Sequence, residues 1–69
     1  MYIVMEIQTN ANGTVGTLVN SYADRDQAES SYHTILAAAA LSSLPCHAAV
    51  LLTERGGILA SGYYEHAEG

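Results

Sequence analysis

The chain has no lysine, no tryptophan and no phenylalanine, and its 69 residues include one cysteine, one proline and only two basic side chains. Each shortage closes a class of function. Without lysine there is no phosphate-binding lysine of a P-loop, no Schiff base and no pyridoxal chemistry, because each needs an amine on a long stem. Arg25 and Arg55 stand against seven acids, for a formal charge of −5. Binding to a nucleic-acid polymer or an anionic membrane rests on several cations, so neither is an expected partner. Cys46 is alone and cannot close an intramolecular disulfide, whereas small secreted domains usually carry two or more bridges. A reducing cytoplasm is the expected compartment. No leader pattern is present: a basic opening is missing, and the apolar run Tyr2 to Met5 is cut by Glu6. The longest later run, Ile35 to Leu41, falls far short of the roughly 20 residues a bilayer span requires.

What is abundant is apolar surface, at 49% of residues against 13% charged. A chain this short seldom draws more than about 3 to 5 kcal/mol from a single core. With disulfides excluded and no metal or other cofactor expected, association with copies of itself is the remaining source of stability.

Residues 2 to 9 alternate, with Ile3, Met5 and Ile7 separated by Glu6 and Gln8, as in a strand whose Ile3 side is buried. Tyr2 and Val4 are apolar on the other side. Asn12-Gly13 is a hairpin signal, and Thr14 to Tyr22 is expected to run back as a second strand. Asp24 precedes Gln27 by three residues, as in a capping box, and opens a helix whose apolar stripe is Ala28, Tyr32, Ile35, Leu36 and Ala39. Pro45 removes a donor and disfavours helical geometry at Leu44, so the helix should stop near Ser42 or Ser43. Cys46 to Glu54 and Ile58 to Tyr64 read as the last two strands, joined across Arg55-Gly56-Gly57. The expected fold is α+β, of order ββαββ: one helix on a four-stranded antiparallel sheet, forming a single domain over residues 1–64 with a frayed tail, 65–69. Tyr2, Val4, one of Leu18 and Val19, and part of the third strand should lie on the sheet face away from the helix, as a surface for self-association.

Few residues suit chemistry. His33, His47, His66 and Cys46 lack metal-ligand spacing, and adjacent strand residues Cys46 and His47 point to opposite faces, which also disfavours a nucleophilic dyad. Tyr22 and Arg25 flank the helix start, where free N–H groups favour an anion, with His33 about two turns on. The plainer reading of Arg25 is a pair with Glu29 at i, i+4. Tyrosine's ring with a polar handle suits either sheet packing or stacking on a nucleobase, which makes Tyr22, Tyr32, Tyr63 and Tyr64 candidates.

The strand Tyr2-Ile3-Val4-Met5-Glu6-Ile7-Gln8, the helix segment from Ala28 to Ala40 and the exit Ser42-Ser43-Leu44-Pro45 resemble a group of short uncharacterised proteins encoded by phages and prophages of gut Firmicutes. The likeness runs over nearly the whole chain. Such proteins often carry an acid at the turn where this chain has Arg55, which sets Arg55 outside the expected site. The resemblance implies a host bacterial cytoplasm and a small acidic accessory protein acting as a homo-oligomer. In that setting the leading expectation is a non-enzymatic anti-defence sponge that sequesters a nucleotide-type immune signal. Its contacts would be Arg25, Tyr22, Tyr32, His33, Tyr63 and Tyr64. The alternatives are a virion or morphogenesis accessory protein acting through protein contacts, and a metal-independent phosphodiesterase that cleaves a cyclic nucleotide with His33 and His47 as acid and base.

Overall fold

A computed structural model describes residues 1–66. Strand β1 spans Tyr2–Thr9, β2 Val15–Tyr22, helix α1 Arg25–Leu41, β3 Cys46–Thr53 and β4 Ile58–Glu65. The strands form one antiparallel sheet of order β2-β1-β3-β4 with α1 packed on one face, the expected ββαββ arrangement. β1 is therefore central, held between its hairpin partner β2 and the later strand β3.

Local chemistry accounts for the boundaries. Asp24 caps α1 in extended conformation, its side chain accepting from the Asp26 amide at 3.0 Å. At the far end Ser42 turns extended and its amide donates to the Ala39 carbonyl at 3.2 Å. In the β1–β2 turn Gly13 takes positive φ and Asn12 does not. Asn12 instead accepts from the Thr14 amide at 3.1 Å and the Thr14 hydroxyl at 2.7 Å, which closes the loop. β4 continues through Glu65, and His66 is tied by its amide to the Pro45 carbonyl and by Nε2 to the Ala39 carbonyl. Glu65 and His66 of the expected frayed tail are thus held in the fold, and its other residues, 67–69, lie outside the described residues.

The core is small and close-packed: Val4 and Leu51 from the sheet, Ala28 and Tyr32 from the helix, and Ala49 beneath them. Small side chains let α1 come down on the sheet. A Cβ at Gly62 would stand 3.2 Å from both Leu36 methyls and 3.3 Å from the Tyr32 hydroxyl.

The sheet faces are the reverse of the expectation. Val4 is fully buried under α1, and the register puts Tyr2, Glu6 and Gln8 on the same side. Leu18 shares that side, while Val19 lies opposite. Ile3, Met5 and Ile7 line the face away from the helix, beside Val19 of β2 and Val50 and Leu52 of β3. The reason is steric and electrostatic together. The helix side takes small residues such as Ala49, Ala60 and Gly62 where α1 approaches, and it encloses Glu6 with His47; most of the bulky aliphatics, Val4, Leu18 and Leu51 apart, fall on the open side. Among the described residues the register places only one charged side chain on that open face, Glu65 at a corner.

Candidate functional site

Cross-strand register draws the scarce positive charges together. Tyr2 pairs with Tyr22 on one side and Thr53 on the other, so the helix start at Arg25 and the β3–β4 turn at Arg55 stand at the same end of the sheet. The amino terminus lies there too. Its ammonium donates to Glu54 Oε1 at 3.3 Å, and the Glu54 amide donates to the Met1 carbonyl. Gly56, at φ +86°, tightens the turn, and the Gly57 amide donates to the Thr53 hydroxyl at 3.1 Å. Met1, Tyr2, Thr53, Glu54 and Arg55 enclose an open depression of about 230 Å³. That is below the roughly 300 Å³ at which pockets begin to hold a small molecule largely buried, so a nucleotide there would need a further wall.

At the other end of the sheet, a buried polar group sits beneath the end of α1. His47, 4% exposed, places Nε2 2.5 Å from Glu6 Oε2, and Gln8 donates from its side-chain Nε2 to the same oxygen at 2.9 Å. A proton on Nε2 satisfies this contact, whereas Nδ1 is buried with no partner among the described residues. Burial pushes the Glu6 carboxyl up, but the hydrogen bonds from Gln8 and His47 and the charge of His47 prevail and hold it below its ordinary value. A carboxyl lowered by folding stabilises the fold above its unfolded pKa and loses that contribution as pH falls through its folded value. The urea midpoint gap between wild type and Glu6→Gln is therefore expected to be widest above pH 4.5 and to close as the pH is lowered beneath it. Paired urea titrations from pH 7 to pH 3 check this.

The residues expected from the sequence are dispersed. Arg25 pairs with Glu29, Nε to Oε2 at 3.4 Å, on the exposed side of α1. Asp24 and Asp26 add negative charge beside the free helix amides, which opposes an anion there. The Tyr22 hydroxyl donates to Ser31 Oγ at 3.0 Å and joins strand to helix. Tyr32 is a core residue, with its ring edge-on to His33 at 5.2 Å between centroids, and His33 itself is exposed. Tyr63 and Tyr64 point to opposite faces; Tyr64 is the cross-strand neighbour of His47, at the end of the sheet remote from Arg25. His33 and His47 face different surroundings, one in solvent and one beneath the helix. Of the expected set, Tyr22 and Arg25 alone share the end that holds Arg55 and the amino terminus.

Sequence reasoning missed Met1, Tyr2, Thr53 and Glu54 at the depression and Glu6 and Gln8 beside His47. The first group depends on β1 lying next to β3, which no local pattern encodes. Glu6 carried a signal, since an acid in an otherwise apolar central strand needs a partner. Among the described residues no three His, Cys, Asp or Glu side chains converge as a metal group, and no helix is long and apolar enough to cross a membrane. No protein-family model matches the chain, and neither a curated protein nor a solved structure matches it.

Proposed function

We propose that the protein is a homo-oligomeric, non-enzymatic binding protein of phage origin that captures a small anionic nucleotide and holds it away from the host's immune receptors. The observation that carries this reading is that both arginines and the amino terminus stand at one end of the sheet, where Arg55 and Met1, though not Arg25, line a depression with Tyr2. In a chain of net charge −5 the two arginines stand at that end, Arg25 paired with Glu29 and the amino terminus with Glu54, so a phosphate would meet positive charge there by displacing those carboxylates. The depression is too small for a whole nucleotide, which fits a site completed by a second copy, and the open sheet face built around Met5 is where copies would join. The phage setting rests on the sequence resemblance.

The apolar open face also favours a second reading, a virion or morphogenesis accessory protein that docks this face on another phage protein. Metabolites retained by the purified protein after mixing with lysate of defence-activated cells separate the possibilities by mass spectrometry. An unchanged nucleotide supports capture, a cleaved product supports a phosphodiesterase, and an empty protein supports docking. With the recovered nucleotide, Arg55→Ala and Arg25→Ala are each expected to weaken binding about tenfold or more, because each removes a charged hydrogen bond worth roughly 1.5 kcal/mol. Calorimetry on both variants, at unchanged oligomeric state, checks the pair. Full affinity in Arg25→Ala would leave that residue to its Glu29 partner alone.

A further inference from the structure

The two edges of the sheet are built differently. β2, Val-Gly-Thr-Leu-Val-Asn-Ser-Tyr, is an eight-residue edge strand with no charge, no proline and an unbroken register against β1. Charged side chains, prolines and bulges are the devices by which edge strands avoid pairing with other chains, and β2 has none of them. β4 has two. Its pairing shifts register between Leu51 and Leu52, and it ends on Glu65. α1 also packs over Gly62 of β4 but reaches β2 least of the four strands. As a result Leu18, on the helix side of β2, is 60% exposed, and Val19, on the open side, is 57% exposed. A strand with free backbone groups along one edge and uncovered aliphatic side chains on both faces is built to be continued.

From this asymmetry we propose that β2 pairs antiparallel with β2 of a second copy, so that two four-stranded sheets become one of eight. Charge selects the occupant. Every copy carries −5, so most approaches between copies bring like charges together, but β2 meets its own image with none. An antiparallel pair of identical strands is related by a two-fold axis normal to the sheet, which leaves both helices on the same side. A two-fold at Leu18 sets Leu18 of each copy side by side in the gap that α1 does not cover, and it sets each Asn20 opposite a Gly16, where a side chain has open space. The guarded β4 edge stops addition at two copies, which closes the assembly instead of extending it as a filament. The inference rests on the homo-oligomeric part of the proposed function but uses a different surface from the open sheet face. Edge pairing combined with face-to-face packing makes a four-copy assembly, two eight-stranded sheets back to back.

Amide hydrogen exchange followed by NMR reads the edge directly. In an unpaired edge strand every second amide points to solvent and exchanges freely, whereas pairing should slow all the β2 amides at least about a hundredfold. Leu18→Lys, which adds an edge-guarding charge at an already exposed position off the open face, is expected to halve the assembly mass in sedimentation equilibrium. It should also release alternate β2 amides without changing the circular dichroism. Wild-type oligomers in which every second β2 amide exchanges freely, or a Leu18→Lys variant of unchanged mass, would overturn edge pairing and leave the face contact standing. A monomeric wild type at tens of micromolar would overturn both.

Discussion

Met5→Lys is expected to separate the oligomer at the sheet face while leaving the protomer folded. Met5 lies at the middle of the open face, beside Val19 and Val50, on a surface whose only charge among the described residues is at a corner. In the separated protomer the lysine head reaches water along its stem, and little is lost. In the face-to-face assembly two ammonium groups, one from each copy, enter an apolar layer without partners. The effective penalty is several kcal/mol per ion, enough to weaken association by about a thousandfold or more. Sedimentation equilibrium should show the loss of mass, and circular dichroism should show unchanged helix content. Intact assembly in this variant would move the interface off this face.

One residue away, Val4→Lys is expected to have the opposite outcome. Val4 is completely buried between the sheet and α1, in contact with the cluster of Ala28, Tyr32, Ala49 and Leu51. An ammonium there cannot reach solvent past the helix, and no carboxylate belongs to that cluster. The several kcal/mol that this costs is comparable to the entire stability of a chain this size, about 3 to 10 kcal/mol at 0.05 to 0.15 kcal/mol per residue. Thermal melts followed by circular dichroism should show the loss of a cooperative transition near room temperature. A folded Val4→Lys protomer would mean that α1 does not cover this side of β1. The two neighbours together test the assignment of faces, since reversing the faces would exchange the two phenotypes.

That assignment is where periodicity and structure part. Alternation along β1 separates Ile3, Met5 and Ile7 from Tyr2, Val4, Glu6 and Gln8 correctly, but both sets contain apolar residues, and a strand apolar on both faces does not say which face a helix will cover. Reading Glu6 and Gln8 as water-facing set the strand the wrong way round. In the folded chain these two meet His47, and an acid and an imidazole separated by 41 positions supply the polar satisfaction that makes Glu6 admissible under α1. The candidate site was legible only in part. Arg25 and Tyr22 were marked by their place at the helix start, but Arg55 joins them through the β1–β3 pairing, and that contact lies between segments about fifty residues apart.

Local sequence determined the number, order and bounds of the elements, because capping at Asp24, the stop before Pro45 and the period of each segment act over a few residues. Composition alone excluded lysine chemistry and intramolecular disulfides. Only the tertiary structure decided which sheet face is covered, that both arginines stand at one end, and that β2 is a bare edge. Each of these depends on register between distant strands and on where one helix of finite width comes to rest. The helix settles over the residues small enough to admit it, and what it leaves uncovered becomes the surface open to partners.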